Sequence, residues 1–247
     1  MVQDGMVAAE ELLGIGLYSP SEAALYARVR PQLVSSWIYG TKATNPVIDP
    51  QLGALDDKIV TFLDFIQTLA IRRMRTERGI SLQRIREGYQ RAREMFGVEY
   101  PLADQTTRIG LFGPPNNPKR QEVFICLRKE TEAEVLQFFQ LTGKGRKNQL
   151  IGEVVMTYAR YLEFSTETGL ACRFTAFQNE YGAITMDPEV RFGEPFIEKC
   201  GYTAHTLFNA YQTERSLKRA ALIYGVDERY IQLAIDYFDY LSPVAAA

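Results

Sequence analysis

Residues 19–40 read Ser-Pro-Ser-Glu-Ala-Ala-Leu-Tyr-Ala-Arg-Val-Arg-Pro-Gln-Leu-Val-Ser-Ser-Trp-Ile-Tyr-Gly, and two short helices joined by a tight turn are written into them. Ser19 can cap the first helix, Pro20 suits its opening position, and Glu22 stands three residues after Ser19, which makes a capping box. The small side chains Ala23, Ala24 and Ala27 let a second helix approach closely. Val29 plugs the turn, Pro31 opens the second helix, and Val34, Trp37 and Ile38 form its inward face. This is the grammar of a helix-turn-helix. Its second helix and flanks offer Arg30, Gln32, Ser35, Ser36, Tyr39 and Lys42 on the other side. Gln bonds adenine bidentately, Arg bonds guanine, and Ser serves several bases or a phosphate, so these residues suit a DNA major groove.

Outward from this core, a Pro/Gly-rich connection, TKATNPVIDPQLG, leads to two periodic helices. In residues 62–78, Phe62, Ile66, Leu69 and Met74 lie near one stripe, and in 82–96 Leu82, Ile85, Tyr89, Ala92 and Phe96 form a seam spaced by three and four. Gly79 ends the first and Ser81 starts the second. Arg72, Arg73, Arg75, Arg78, Arg84, Arg86, Arg91 and Arg93 crowd these helices, as phosphate contacts or as an ordinary solvated surface.

Strand-like runs at 108–112 and 121–127 bracket the loop Gly113–Arg120, a hairpin with Lys119 and Arg120 near its tip that would form either a wing beside the helix-turn-helix or an ordinary surface hairpin. Residues 131–142 and roughly 150–163 read as helices joined by GKGRKN, which lacks the spacing of a phosphate-binding loop. Residues 171–186 suggest a second hairpin turning at Asn179 to Gly182. Three helices close the chain, at 203–211, 217–224 and 227–241, with Gly225-Val226-Asp227 forming another joint of helix-turn-helix type. The fold class expected is mainly α with small β-hairpins (α+β). Its parts are a winged helix-turn-helix domain at 1–130 with a flexible start at 1–16, a mixed connector at 131–186, and a helical module at 187–247.

Composition narrows the chemistry. The 247 residues carry 28 Lys plus Arg against 30 Asp plus Glu, a formal net charge of -2. Residues 61–130 nevertheless hold 13 basic and 8 acidic side chains, so the positive charge is concentrated beside the helix-turn-helix. The three cysteines, Cys126, Cys172 and Cys200, form no CxxC pair, and neither a disulfide framework nor a zinc site is expected. His205 is the single histidine, read as a solvent-facing or capping residue near a helix start. Glu163 with Glu167, and Asp236 with Asp239, recur without the histidine or strand-borne carboxylates that a metal-dependent nuclease needs, so no enzyme activity, catalytic residue, metal or cofactor is expected. Neither a signal peptide nor an apolar run of about 18 residues is present, which points to a cytoplasmic protein away from membranes.

The motifs from Tyr18 to Ala24, Val29 with Pro31 through Trp37, Phe62 to Leu69 and Arg78 to Arg86 resemble the MerR-type winged helix-turn-helix over about the first 100 residues. The chain departs where that family usually continues into a dimerising coiled coil. A fuller likeness, over residues 17–241, is to VapB-type antitoxins that join such a head to a C-terminal helical domain of unknown function. It is carried by Gly193-Glu-Pro-Phe-Ile, Tyr202 to Tyr211, Leu217 to Val226 and Ile231 to Ala234. The likeness implies a homodimeric antitoxin of a type II, VapBC-like pair that neutralises a PIN-like ribonuclease toxin and represses its own operon on promoter DNA. Arg191, Arg215 and Arg219 are then candidates to pair with the carboxylates of the toxin's site. The alternative is a stand-alone MerR-like regulator with a ligand-sensing second half. Arg28 stands where the family commonly has Gly, a departure that would cost ~1 kcal/mol if the backbone there is left-handed. Ser35 and Ser36 stand where relatives often carry arginines.

Overall fold

The computed structural model describes residues 14–53, 58–76, 79–112, 122–127, 150–153 and 159–242. In chain order these form α1 (Pro20–Ala27), α2 (Pro31–Tyr39), α3 (Phe62–Thr76), α4 (Leu82–Phe96), β1 (Thr107–Phe112), β2 (Glu122–Leu127), β3 (Leu150–Glu153), β4 (Leu162–Phe164), β5 (Ala171–Asn179), β6 (Gly182–Met186), β7 (Phe196–Ile197), β8 (Tyr202–Thr203), α5 (Ala204–Glu214), α6 (Leu217–Tyr224) and α7 (Glu228–Leu241). The molecule is α+β, with a five-stranded antiparallel sheet in the order β4-β5-β6-β7-β8 and a three-stranded sheet in the order β2-β1-β3.

The helix ends follow the sequence closely. The Ser19 hydroxyl accepts the Glu22 amide at 3.2 Å and the Glu22 carboxylate accepts the Ser19 amide at 2.8 Å, so the capping box is formed. Ser81, Thr203, Ser216 and Asp227 cap α4, α5, α6 and α7, and Gly97 and Gly225 end α4 and α6 in the left-handed region. Both hairpins are present. β1 and β2 pair antiparallel from Thr107↔Leu127 to Phe112↔Glu122, and β5 and β6 turn between Asn179 and Gly182.

One expected element is replaced. Within the helix expected at 150–163, Leu150–Glu153 is instead a strand paired with β1 and Ala159–Tyr161 is a single 3-10 turn leading into β4, while 154–158 lie outside the described residues. Leu150–Glu153 carries a single β-branched side chain, Ile151, so its strand state follows from pairing with β1, some forty residues earlier, rather than from propensity. Glu163 and Glu167 consequently do not share a helical face, since the first lies in β4 and the second in the following turn. The helix expected at 131–142 and the loop at 143–148 lie outside the described residues.

Contacts group the chain into two compact units. One comprises Met1–Leu33, Leu55–Phe62 and Cys172–Ala247, the other Val34–Ala54 and Leu63–Ala171. In the first, Ile184, Ile197, Leu207, Ala220, Ala221, Ile231, Leu233, Ala234 and Tyr237 build a core, with Tyr26 of α1 packed against it. The Tyr18 hydroxyl donates to the Gly193 carbonyl at 2.9 Å, the Leu17 amide donates to the Phe192 carbonyl at 2.9 Å, and Tyr18 exchanges both backbone bonds with Val60. A Cβ on Gly193 would stand 2.1 Å from the Tyr18 hydroxyl oxygen, so only glycine permits this approach. Helix α1 is thereby an element of the core built by the C-terminal residues. In the second unit α3 is buried on every side from Leu63 to Ile71, with Ile80, Ile85, Tyr89 and Ala92 also buried. The single stripe expected for α3 is therefore too narrow: Asp64, Gln67 and Thr68 are buried with its apolar residues, the Thr68 hydroxyl donating to the Asp64 carbonyl at 2.9 Å and the Asp64 carboxylate accepting the Gln51 amide at 3.2 Å.

Candidate nucleic-acid interface

The turn after α1 is made by Arg28, whose φ of 54° and ψ of 49° place it in the left-handed region. Its amide bonds the Ala24 and Leu25 carbonyls, and the Val29 amide reaches the Ala24 carbonyl at 2.9 Å. This is the closure that glycine usually serves, at a cost to arginine of ~1 kcal/mol. The guanidinium lies 4.0 Å from the centroid of the Tyr240 ring, and Tyr240 in turn packs on Phe177 with centroids 5.3 Å apart.

Gln32, Ser35, Ser36 and Tyr39 fall at i, i+3, i+4 and i+7 along α2 and so share one stripe. Gln32 is exposed and the other three are half-buried, whereas Val34, Trp37 and Ile38 on the opposite side are buried. Arg30, in the turn before α2, is exposed. The Tyr39 hydroxyl is pushed up to about 12, first by burial and second by the Asp64 carboxylate, so it remains a neutral hydrogen-bonding group at any physiological pH.

Lys42 follows on a rigid tip. Gly40 turns the chain at φ +73°, where an added Cβ would meet the Thr44 carbonyl oxygen at 2.6 Å and the Pro46 nitrogen at 2.9 Å. Thr41 and Thr44 exchange backbone bonds of 2.8 and 3.3 Å, their hydroxyls lie 2.8 Å apart, and Lys42 is exposed between them. Arg86 of α4 then clamps the next residues, Nε donating to the Pro46 carbonyl and Nη2 to the Asn45 carbonyl, both at 2.7 Å. Arg93 pairs with Asp49, and the Val47 amide donates to the Trp37 carbonyl at 2.7 Å.

That clamp resolves part of the arginine cluster. Arg86 and Arg93 hold the loop that follows α2, and Arg75 donates to the Ile80 carbonyl at 2.7 Å across the α3–α4 turn. Their work is internal. Sequence reasoning missed the clamp because its acceptors are backbone carbonyls some forty residues away. Lys119 and Arg120 at the expected wing tip, and Arg78, lie outside the described residues.

The three candidate toxin contacts do not form one cluster by any bond among the described residues. Arg191 has a left-handed backbone and donates to the Gly201 carbonyl at 2.9 Å; Arg215 is the left-handed C-cap of α5; Arg219 is exposed in the first turn of α6. Asp236, one of the carboxylates without an assigned partner in the sequence, accepts from Asn179 and Gln232 at 2.7 Å each and so ties the β5–β6 turn to α7. His205 is exposed at the start of α5, as expected, 3.1 Å from Asn209. No helix among the described residues is long and apolar enough to cross a membrane.

No family model matches the chain, and no curated protein matches it. Among solved structures, it is similar to the crystal structure of Rv2018 from Mycobacterium tuberculosis, with a TM-score of 0.60 and 20% identity over 91% of this chain and 99% of that one. At that identity the likeness speaks to the fold, which the two proteins share along nearly their whole lengths.

Proposed function

We propose that this protein is a DNA-binding antitoxin: it reads double-stranded promoter DNA as a homodimer through a winged helix-turn-helix, with α2 in the major groove, and masks a PIN-like ribonuclease toxin. The observation that carries the DNA reading is the stripe of Gln32, Ser35, Ser36 and Tyr39 on α2, continued by Arg30 before it and by Lys42 on a loop fixed at both ends. A recognition helix needs hydrogen-bonding side chains on one face and phosphate contacts that fix its register. Here Gln32 offers bidentate bonding to adenine, the serines bond bases or phosphate, and Lys42 provides a point charge. The β1–β2 hairpin is in the place a wing would occupy in chain order. The toxin half of the proposal rests on the resemblance to VapB-type antitoxins.

The test has two arms. In a gel shift on the gene's own promoter, R30A/Q32A should weaken binding by about tenfold or more, at ~1–3 kcal/mol per base contact; unchanged affinity would refute α2 as the reader. In the other arm, co-expression with the adjacent gene product should give stable co-purification and relief of growth arrest. A neighbour that is harmless and does not bind removes the antitoxin function, whatever the DNA result.

A further inference from the structure

The joint at Gly225 repeats the joint at Arg28 position by position. Ser216-Leu-Lys-Arg-Ala-Ala-Leu-Ile-Tyr-Gly-Val aligns with Ser19-Pro-Ser-Glu-Ala-Ala-Leu-Tyr-Ala-Arg-Val, sharing the serine, the Ala-Ala-Leu run and the valine. The backbone repeats as well. Both first helices have 8 residues, both begin on a serine whose hydroxyl accepts an amide three residues on, and both end on a left-handed residue. The Val226 amide returns to the Ala221 carbonyl at 3.0 Å as that of Val29 returns to Ala24 at 2.9 Å. Both alanine pairs are buried.

The chemistry of the second copy is inverted. Its second helix, α7, carries Glu228, Asp236 and Asp239, with Asp227 capping it, against the single cation Arg229. The charge of such a helix disfavours the approach of phosphate. Its first helix, α6, has gained Lys218 and Arg219 in the first turn, Arg219 standing where Glu22 completes the capping box of α1. Cations there oppose the positive end of the helix dipole, an arrangement relieved by carboxylates supplied from outside. On the same face follow Leu222 and Ile223, 81% and 61% exposed, the two most exposed of the large hydrophobic side chains described.

The geometry points to this face of α6 as a self-pairing surface whose partner is a second copy of the same chain. A two-fold axis between Leu222 and Ile223 runs the two α6 helices antiparallel. Lys218 and Arg219 stand in the first turn of α6, while Asp227, which caps α7 and pairs with Arg229 at 3.5 Å, and Glu228 follow just beyond its end at Gly225, so the basic end of one copy meets the acidic end of the other around the shared apolar centre. An isologous interface requires this self-complementarity, in which residue i meets j and j meets i. The pairing is independent of whether α2 reads DNA.

The experiment is sedimentation velocity on the full chain across a concentration series. The wild type should self-associate, and L222D/I223D should sediment as a monomer with an unchanged far-UV circular dichroism spectrum. K218E should weaken association by about tenfold, and K218E/E228K should recover it, which damage to the fold could not do. A wild type that is monomeric throughout, an L222D/I223D variant that still pairs, or failure of the rescue overturns the proposal. If the wild type is monomeric but L222D/I223D loses the co-expressed neighbour, the face belongs to that protein and self-pairing falls.

Discussion

Replacing Arg28 separates two opposing effects at one residue. As the αL cap of α1 it carries a backbone cost of ~1 kcal/mol relative to glycine, while its guanidinium, 4.0 Å from the Tyr240 centroid, returns ~0.5–2 kcal/mol of cation–π attraction at a partly exposed site. Arg28→Ala keeps the backbone cost and loses the attraction, so it should destabilise by about 1 kcal/mol. Arg28→Gly loses the same attraction but relieves the strain, less a fraction returned by the greater freedom of glycine in the unfolded chain, and should fall close to wild type. The order expected in urea denaturation followed by far-UV circular dichroism is wild type and Arg28→Gly together, with Arg28→Ala below both. A cycle with Tyr240→Leu isolates the contact from the loss of Tyr240 packing on Phe177, and should give a coupling of about 0.5–1.5 kcal/mol. A coupling indistinguishable from zero would refute the claim that the ring offsets the strain, and an Arg28→Ala variant more stable than Arg28→Gly would refute the strain itself.

Other perturbations address the same architecture. Ser19→Ala removes the acceptor for the Glu22 amide and should cost about 1 kcal/mol in urea denaturation. Gly40→Ala forces a Cβ against the Thr44 carbonyl in a left-handed turn; a loss of about 1–3 kcal/mol is expected, with weaker promoter binding as the Lys42 tip shifts. Lys42→Ala should lower affinity about equally for all sequences and reduce the slope of log affinity against log salt by about 1, read by fluorescence anisotropy. Burial raises the hydroxyls of Tyr18, Tyr26, Tyr89 and Tyr237 above their ordinary value of 10.0 and that of Tyr39 to about 12. Because the folded values lie above the unfolded one, the stability they confer is complete below pH 10 and is lost as pH rises through the folded values. Absorbance at the phenolate band should therefore show these tyrosines ionising together with unfolding; independent titration near pH 10 in a still-folded chain would contradict their burial.

What could be read from the sequence was local. The Ser19-Glu22 box, the Gly225 stop, the 82–96 seam and both hairpins each depend on residues within a few positions of one another, and each appears where its spacing places it. The stripe on α2 was equally legible, being one helix turn repeated. Periodicity is blind to partners distant in sequence, and the differences arise there. Leu150–Glu153 becomes a strand because β1 offers an edge, and Arg86 and Arg93 leave the basic surface because Asn45, Pro46 and Asp49 come within reach. The grouping of α1 with the tail follows from Tyr18 meeting Gly193 across 175 positions, a match of ring to missing side chain that no window along the chain could see.

That last contact has a temporal consequence. Synthesis proceeds from the N-terminus, so α1 emerges well before Gly193, Tyr237 and Tyr240, which complete its surroundings. A nascent or prematurely terminated chain carries Tyr18 and Tyr26 without the core that receives them, and closing so long a loop slows folding. The surroundings of α1 are thus completed only after Gly193, 175 positions beyond Tyr18, has been made.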